Sequence, residues 1–169
     1  MGSKDISLTP ASSSLFKNNN SKLLDNHKKE QYHSYVAKCL FLSKRARPDI
    51  QLTVAVLSTR VKSPTNQDWL RLERLMKYLN GTRTFHLIPG IDDVKVIKWY
   101  VDASYGVHPD LRSHTGSIMT MSTRAVQSGS AEQKMNTRSS TEAELVGVDD
   151  VISKILWTKF FIEEQGYEV

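Results

Sequence analysis

Hydrophobic spacing changes character near the middle of this chain. Up to Gly81 the apolar residues recur three and four apart, the period of a helix buried along one side. Beyond Gly81 they come in short runs cut by turn residues, until a last stretch returns to helical period. Helices first, then short strands, then one long helix is the order of an α+β chain. The links between the expected strands are too short for crossovers, so the sheet should be antiparallel.

The first half reads as three helices. Tyr32, Tyr35, Val36, Cys39, Leu40 and Leu42 mark the first. It should stop near Arg45-Ala46-Arg47-Pro48, because the residue before a proline resists helical geometry. Asp49 is placed to cap a second helix that buries Leu52, Val54, Ala55, Val56, Leu57 and Val61. Ser63-Pro64-Thr65 breaks the chain again. A third helix is expected over 66–79, with Trp69, Leu70, Leu72, Leu75, Met76 and Leu79 inward and Gly81 just past its end. Ahead of these helices, 1–27 is rich in Ser, Asn and Lys and is expected to be a flexible linker or tail. The expected division is thus 1–27, a helical unit over 28–83, and a second domain over 84–169.

In that second domain, strands are expected over 84–88, 94–103, 116–123 and from 125 to 130. Asp92 and Asp93, beside Gly90, belong to a turn. A helix over about 140–165 follows, closed by Gly166.

Composition narrows the function. Lys and Arg outnumber Asp and Glu by 23 to 18, a net charge of +5, which favours polyanionic partners. A single cysteine, Cys39, permits neither an internal disulfide nor a cysteine zinc site. No segment approaches the roughly 20 apolar residues of a membrane span, and the polar N-terminus lacks the apolar core of a secretory signal. An intracellular protein, cytoplasmic or nuclear, is expected. The histidines show no metal-ligand spacing, and His108 and His114 are assigned no chemistry. No Gly-x-Ser-x-Gly elbow and no phosphate-cradling glycine loop occur.

Two acids stand out. On a helical wheel, Leu145, Val148, Val151, Ile152, Ile155, Leu156 and Ile162 form one apolar stripe. Glu144 falls inside that stripe. Glu142 and Asp149 fall outside it, and Asp150, Ser153 and Lys154 lie opposite. The wheel therefore selects Glu144 as the acid facing the sheet. Capping is its competing role: Thr141-x-x-Glu144 is a capping box, and Ser139-x-x-Glu142 is another. If Ser139 or Ser140 is the cap, Glu144 is free to point at the sheet. Asp102 follows the apolar run Val96 to Val101. It either joins Glu144 as an inward acid or starts the turn Ala103-Ser104-Tyr105-Gly106. Two acids converging from a strand and a helix point to a divalent metal, because hard cations take oxygen ligands.

Taken in order, Tyr100-Val101-Asp102-Ala103-Ser104-Tyr105, Arg112-Ser113-His114-Thr115-Gly116, Gln133-Lys134 and Arg138-Ser139-Ser140-Thr141-Glu142-Ala143-Glu144 closely resemble the ribonuclease H region of copia-type retrotransposon polyproteins. Upstream, Tyr32-His33-Ser34-Tyr35-Val36, Arg47-Pro48-Asp49-Ile50 and Met76-Lys77-Tyr78-Leu79-Asn80-Gly81-Thr82 are similar to the connection that follows the reverse transcriptase palm. The resemblance implies a truncated ribonuclease H-like antiparallel sheet with one long helix packed on it. It implies magnesium-dependent cleavage of RNA in RNA–DNA hybrids, with Mg2+ (or Mn2+) held by Asp102 and Glu144, which would be both the metal ligands and the catalytic acids. It also implies later acids, beyond Gln165-Gly166-Tyr167, that are not among these residues. The domain is therefore expected to be incomplete, and weak or inactive alone.

Arg112, Lys134, Arg138 and Ser139 flank the expected strands and helix start and are the candidate phosphate contacts. The implied partners are an RNA–DNA hybrid or other nucleic acid and the remainder of the Pol polyprotein, with no membrane. Two readings compete with the nuclease: a non-catalytic nucleic-acid-binding connection module, and a non-functional retroelement remnant.

Overall fold

A computed structural model describes residues 6–17, 21–91, 93–121 and 124–169. The architecture is α+β, with helices first, then a three-stranded antiparallel sheet and a long C-terminal helix. The chain divides into two compact units, Met1–Leu87 and Ile88–Val169.

In the first unit, helix α1 (Asn26–Arg45) begins where the Asp25 carboxylate accepts from the Lys28 N–H. It buries Tyr32, Val36, Cys39 and Ser43, spaced four, three and four apart along one stripe. Tyr35 and Leu40, expected inward, are exposed. Helix α2 (Gln51–Thr59) follows a single 3-10 turn, Pro48–Ile50. Asp49 does not cap it. Its carboxylate takes the Arg47 guanidinium at 2.8 Å and the Tyr78 hydroxyl at 2.8 Å, because the proline turn aims it at the core side. The Arg47 hydrogen bonds hold the Asp49 carboxyl below its usual range, against the opposing effect of burial. Helix α3 (Asn66–Gly81) opens on a reciprocal box, Thr65 with Asp68. Val54, Leu57, Leu72 and Leu75 close the core with Tyr32 and Ile50. Leu52, Leu70 and Met76 face outward.

Part of the expected tail is held in place. Leu15 is buried, and the Arg71 guanidinium donates to the carbonyls of Ser14 and Lys17 while pairing with Asp68 at 2.8 Å. Leu24 and Asn66 exchange backbone bonds with Pro64 and Lys22. A buried arginine needs acceptors, and these carbonyls supply them. Residues 18–20 lie outside the described set, as does Asp92 of the expected turn.

Residues 84–88, expected to be a strand, form none and are exposed. Among the described residues no strand pairs with them, and a segment without a strand partner has no ladder to hold it extended. Strand β1 (Ile97–Ser104) pairs with β2 (His114–Met121), and β2 with β3 (Arg124–Glu132). The order is β1-β2-β3, which leaves β1 at an edge. The register sets Asp102 opposite Gly116 and Ala103 opposite Thr115.

Helix α4 (Ser140–Glu164) lies on one face of this sheet. A Cβ built on Gly147 would sit 3.5 Å from Ala103 Cβ and 3.6 Å from Thr115 Cγ2, so Ala103 and Thr115 belong to the covered face. The helix presents Ala143, Gly147, Val151 and Thr158 as its buried side. This corrects the expected stripe in part: Val151 is buried and Ile155 and Ile162 are half-buried as expected, but Leu145 is 68% exposed, Val148 46%, Ile152 41% and Leu156 45%. The physical reason is close approach. Small side chains let the helix axis sit down on the sheet, and a wheel shows only which residues share a side. Among the described residues, no helix is long and apolar enough to cross a membrane.

Candidate functional site

The start of α4 decides between the two capping boxes. Ser139 is the N-cap, its Oγ accepting from the Glu142 N–H at 3.2 Å. The Glu142 carboxylate folds back to accept from the Arg138 N–H at 2.6 Å. Neither Thr141 nor Glu144 is used as a cap. Glu144 is half-buried, and its Oε1 accepts from the Ala103 N–H at 3.3 Å.

That amide is the peptide bond joining Asp102 to Ala103. The Glu144 carboxylate therefore lies against the backbone of Asp102 itself. The Asp102 side chain, however, is exposed. Side chains alternate along a strand, and Ala103 takes the place facing α4, so Asp102 leaves on the opposite face. It is not the inward acid expected from the sequence. Among the described residues, no group of three or more His, Cys, Asp or Glu is placed to hold a metal ion. Glu144 thus meets β1 at the peptide bond that follows Asp102, while the Asp102 side chain is exposed on the other face of the strand.

Gln133 sets this geometry. It is 1% exposed, and its Nε2 donates to Thr115 Oγ1 at 3.0 Å and to the Ala143 carbonyl at 2.9 Å. Its N–H donates to the Ser113 carbonyl. One side chain thereby ties the first turn of α4 to β2, one residue before Glu144. On the other flank of the helix, Asp150 accepts from Thr115 Oγ1 at 3.2 Å, so it is not on the purely solvated side where the wheel put it.

The expected phosphate contacts separate into different situations. Lys134, Arg138 and Ser139 are exposed around the start of α4. Arg112 is engaged: its guanidinium pairs with Asp110 at 3.2 Å and with Glu132 at 3.2 Å. Two carboxylates offset its charge, so it is not a free phosphate ligand in this conformation.

A second polar cluster went unread in the sequence. His108 Nε2 and His114 Nδ1 are 2.9 Å apart, His114 Nε2 is 2.8 Å from Ser130 Oγ, and His108 Nδ1 is 3.5 Å from Glu132 Oε2. Both rings are about 5% exposed. Burial first, and the neighbouring His108 second, push the His114 pKa down to about 4. Nothing in the spacing of these residues announces the cluster, because a loop and two strands bring them together.

Comparison with known proteins bears on what this arrangement belongs to. The chain is 32% identical over 142 residues to a retrovirus-related Pol polyprotein from transposon TNT 1-94 of Nicotiana tabacum, covering 83% of this chain. It is 29% identical over 140 residues to the Pol polyprotein from transposon RE2 of Arabidopsis thaliana, covering 82% of this chain.

This chain is a retrotransposon Pol-like segment.

It spans 11% and 10% of the length of those two polyproteins. It also spans 89% of the secreted RxLR effector protein 161 of Plasmopara viticola, at 28% identity over 127 residues. No family model matches the segment, and no solved structure matches it.

Proposed function

We propose that the second unit of this Pol-like segment is a ribonuclease H-type element that contributes Asp102 and Glu144 to magnesium-dependent cleavage of RNA in RNA–DNA hybrids. The observation that carries the reading is the Glu144 carboxylate seated on the peptide bond between Asp102 and Ala103. That contact brings an acid from a helix to the strand that bears the other acid. Magnesium, or manganese, suits such oxygen donors.

The donor set does not fit a pair of ions. Two divalent cations held a few ångströms apart repel strongly, and two carboxylates carry too little charge to offset that. Cleavage by this chain alone is accordingly weak. Lys134 and Arg138, with the Ser139 hydroxyl, are the proposed contacts to the nucleic acid backbone. Hybrid recognition would rest on duplex shape and ribose hydroxyls rather than base edges.

A second reading, a non-catalytic nucleic-acid-binding module within the polyprotein, draws on one observation: the Asp102 side chain leaves β1 on the face away from α4. A labelled RNA–DNA hybrid incubated with Mg2+ separates the two. The nuclease reading expects slow cleavage that Asp102→Asn and Glu144→Gln each abolish. Cleavage that survives Asp102→Asn overturns it. No cleavage, with salt-dependent hybrid binding unchanged by Glu144→Gln and by chelation, favours the binding module.

A further inference from the structure

The loop between β1 and β2, residues 105–113, is folded in a conformation that its own sequence disfavours. Leu111 has φ +64°, in the left-handed region, where a branched side chain crowds the backbone. Leu111 is also 69% exposed, so no packing holds it there. Gly106, at φ +58°, makes the other sharp turn without that penalty. Two backbone bonds close the loop on itself: His108 N–H to the Arg112 carbonyl, and Leu111 N–H to the His108 carbonyl.

The histidine pair fastens the middle of this loop to the sheet. Thr115 faces α4, so His114, one residue earlier, faces the opposite side by strand alternation. The register puts Glu132 opposite His114, and Ser130 opposite Gly116. His114, Ser130 and Glu132 therefore share the sheet face that carries Asp102. His108 reaches down from the loop to His114 on that face, with ring centroids 5.2 Å apart. The charged groups around the pair are Glu132 from β3 and Arg112 and Asp110 from the loop. Helix α4 lies across the sheet and bears on the neighbouring Thr115 through Asp150.

A hydrogen bond between two ring nitrogens requires that one of them be bare. When all four ring nitrogens carry protons, both facing atoms are donors, and the bond is replaced by repulsion between two buried cations. We propose that the His108–His114 pair is a pH-sensitive latch that holds the β1–β2 loop down on the face of the sheet carrying Asp102, and that double protonation of the pair releases it. Other ties remain. The Arg112 guanidinium that reaches Glu132 is 43% exposed, and an ion pair so wetted adds little. Asn136 Nδ2 donates to the Asp110 carbonyl at the surface. The buried Ser113 hydroxyl, which accepts from the Gly106 N–H and meets Thr137 Oγ1, anchors the end of the loop next to β2 and carries no charge that acid would change. The latch is independent of whether the segment cleaves RNA.

The test is amide hydrogen exchange read residue by residue from about pH 7 down to about pH 4, with each rate corrected for the intrinsic effect of acid. The amides of Gly106, His108 and Leu111 report the loop, and those of Tyr100 and Ile118 report the sheet. Histidine ring resonances report protonation in the same samples. Protection of the loop amides is expected to begin falling below pH 6.5 and to be lost near pH 4, while the sheet amides keep theirs. His114→Gln retains a polar side chain but takes no proton, so its loop protection should be flat across that range. Should that variant not fold, His108→Gln carries the same comparison. Three results overturn the latch: wild-type loop amides that stay protected, loop and sheet amides lost together, or a variant loop that opens over the same pH range.

Discussion

The Ala103 N–H donates to Glu144 Oε1 at 3.3 Å across the edge of β1. It joins the second turn of α4 to the strand residue that follows Asp102, and it is made by the face of a carboxylate that a glutamine amide oxygen would match. Substitutions at Glu144 therefore separate geometry from charge.

Glu144→Gln keeps an acceptor for Ala103 and should leave stability within about 0.5 kcal/mol of the parent. Glu144→Ala leaves that amide without its partner and should cost about 0.5–1.5 kcal/mol. Urea denaturation checks both. Added Mg2+ should shift the Asp102 and Ala103 amide resonances in the parent and not in Glu144→Gln.

Gln133 gives the larger stability effect. Its amide is buried and serves Thr115 and the Ala143 carbonyl together. Gln133→Leu keeps the bulk and removes both bonds, while the Ala143 carbonyl keeps its place in the α4 ladder. A loss of about 1–2 kcal/mol is expected from denaturation midpoints. The Ala103 amide should also exchange faster, because the helix turn that presents Glu144 is no longer tied down.

Helix α4 can be tested for which side it buries. Gly147→Ala meets only ordinary contacts at Ala103 and Thr115. It should stabilise by up to about 1 kcal/mol through helix propensity. Gly147→Leu has no room and should lower stability by about 1–3 kcal/mol. Leu145→Gln and Ile152→Gln, on the exposed side, should stay within about 0.5 kcal/mol. A large loss at Ile152 with none at Gly147→Leu would show the helix turned the other way.

Acid should weaken the second unit through His114. Its folded pKa is about 4 against an ordinary 6.5. Between those values the unfolded chain binds a proton that the folded chain refuses. This contribution is therefore complete above pH 6.5 and is lost as pH falls toward 4. It amounts to about 3 kcal/mol in all. Denaturation at stepped pH should show a slope in the parent that is reduced in His114→Gln.

Much of the organisation was legible in the order of residues. Helical spacing marked α1, α2 and α3, and Pro48 and Pro64 marked their breaks, since periodicity and proline act locally. Ser139 and Thr141 were both legible as caps, but only the folded turn, with Glu142 bent back to Arg138, chose Ser139. Residues 84–88 had strand-like composition and formed no strand, because pairing depends on a neighbour and not on composition.

By itself the sequence determined the α+β order, the helix bounds to within a few residues, and the two acids, one on β1 and one near the start of α4. These rest on steric and hydrogen-bonding preferences that act within a few residues. Tertiary structure alone decided which face each element shows. It turned Leu145 and Ile152 outward by seating Gly147 on Ala103. It sent Asp102 to the side away from α4, satisfied the Arg112 charge with Asp110 and Glu132, and brought His108 onto His114. Each of those outcomes depends on contact between residues far apart in the chain, where the free energy belongs to the pair and neither residue's local surroundings record it.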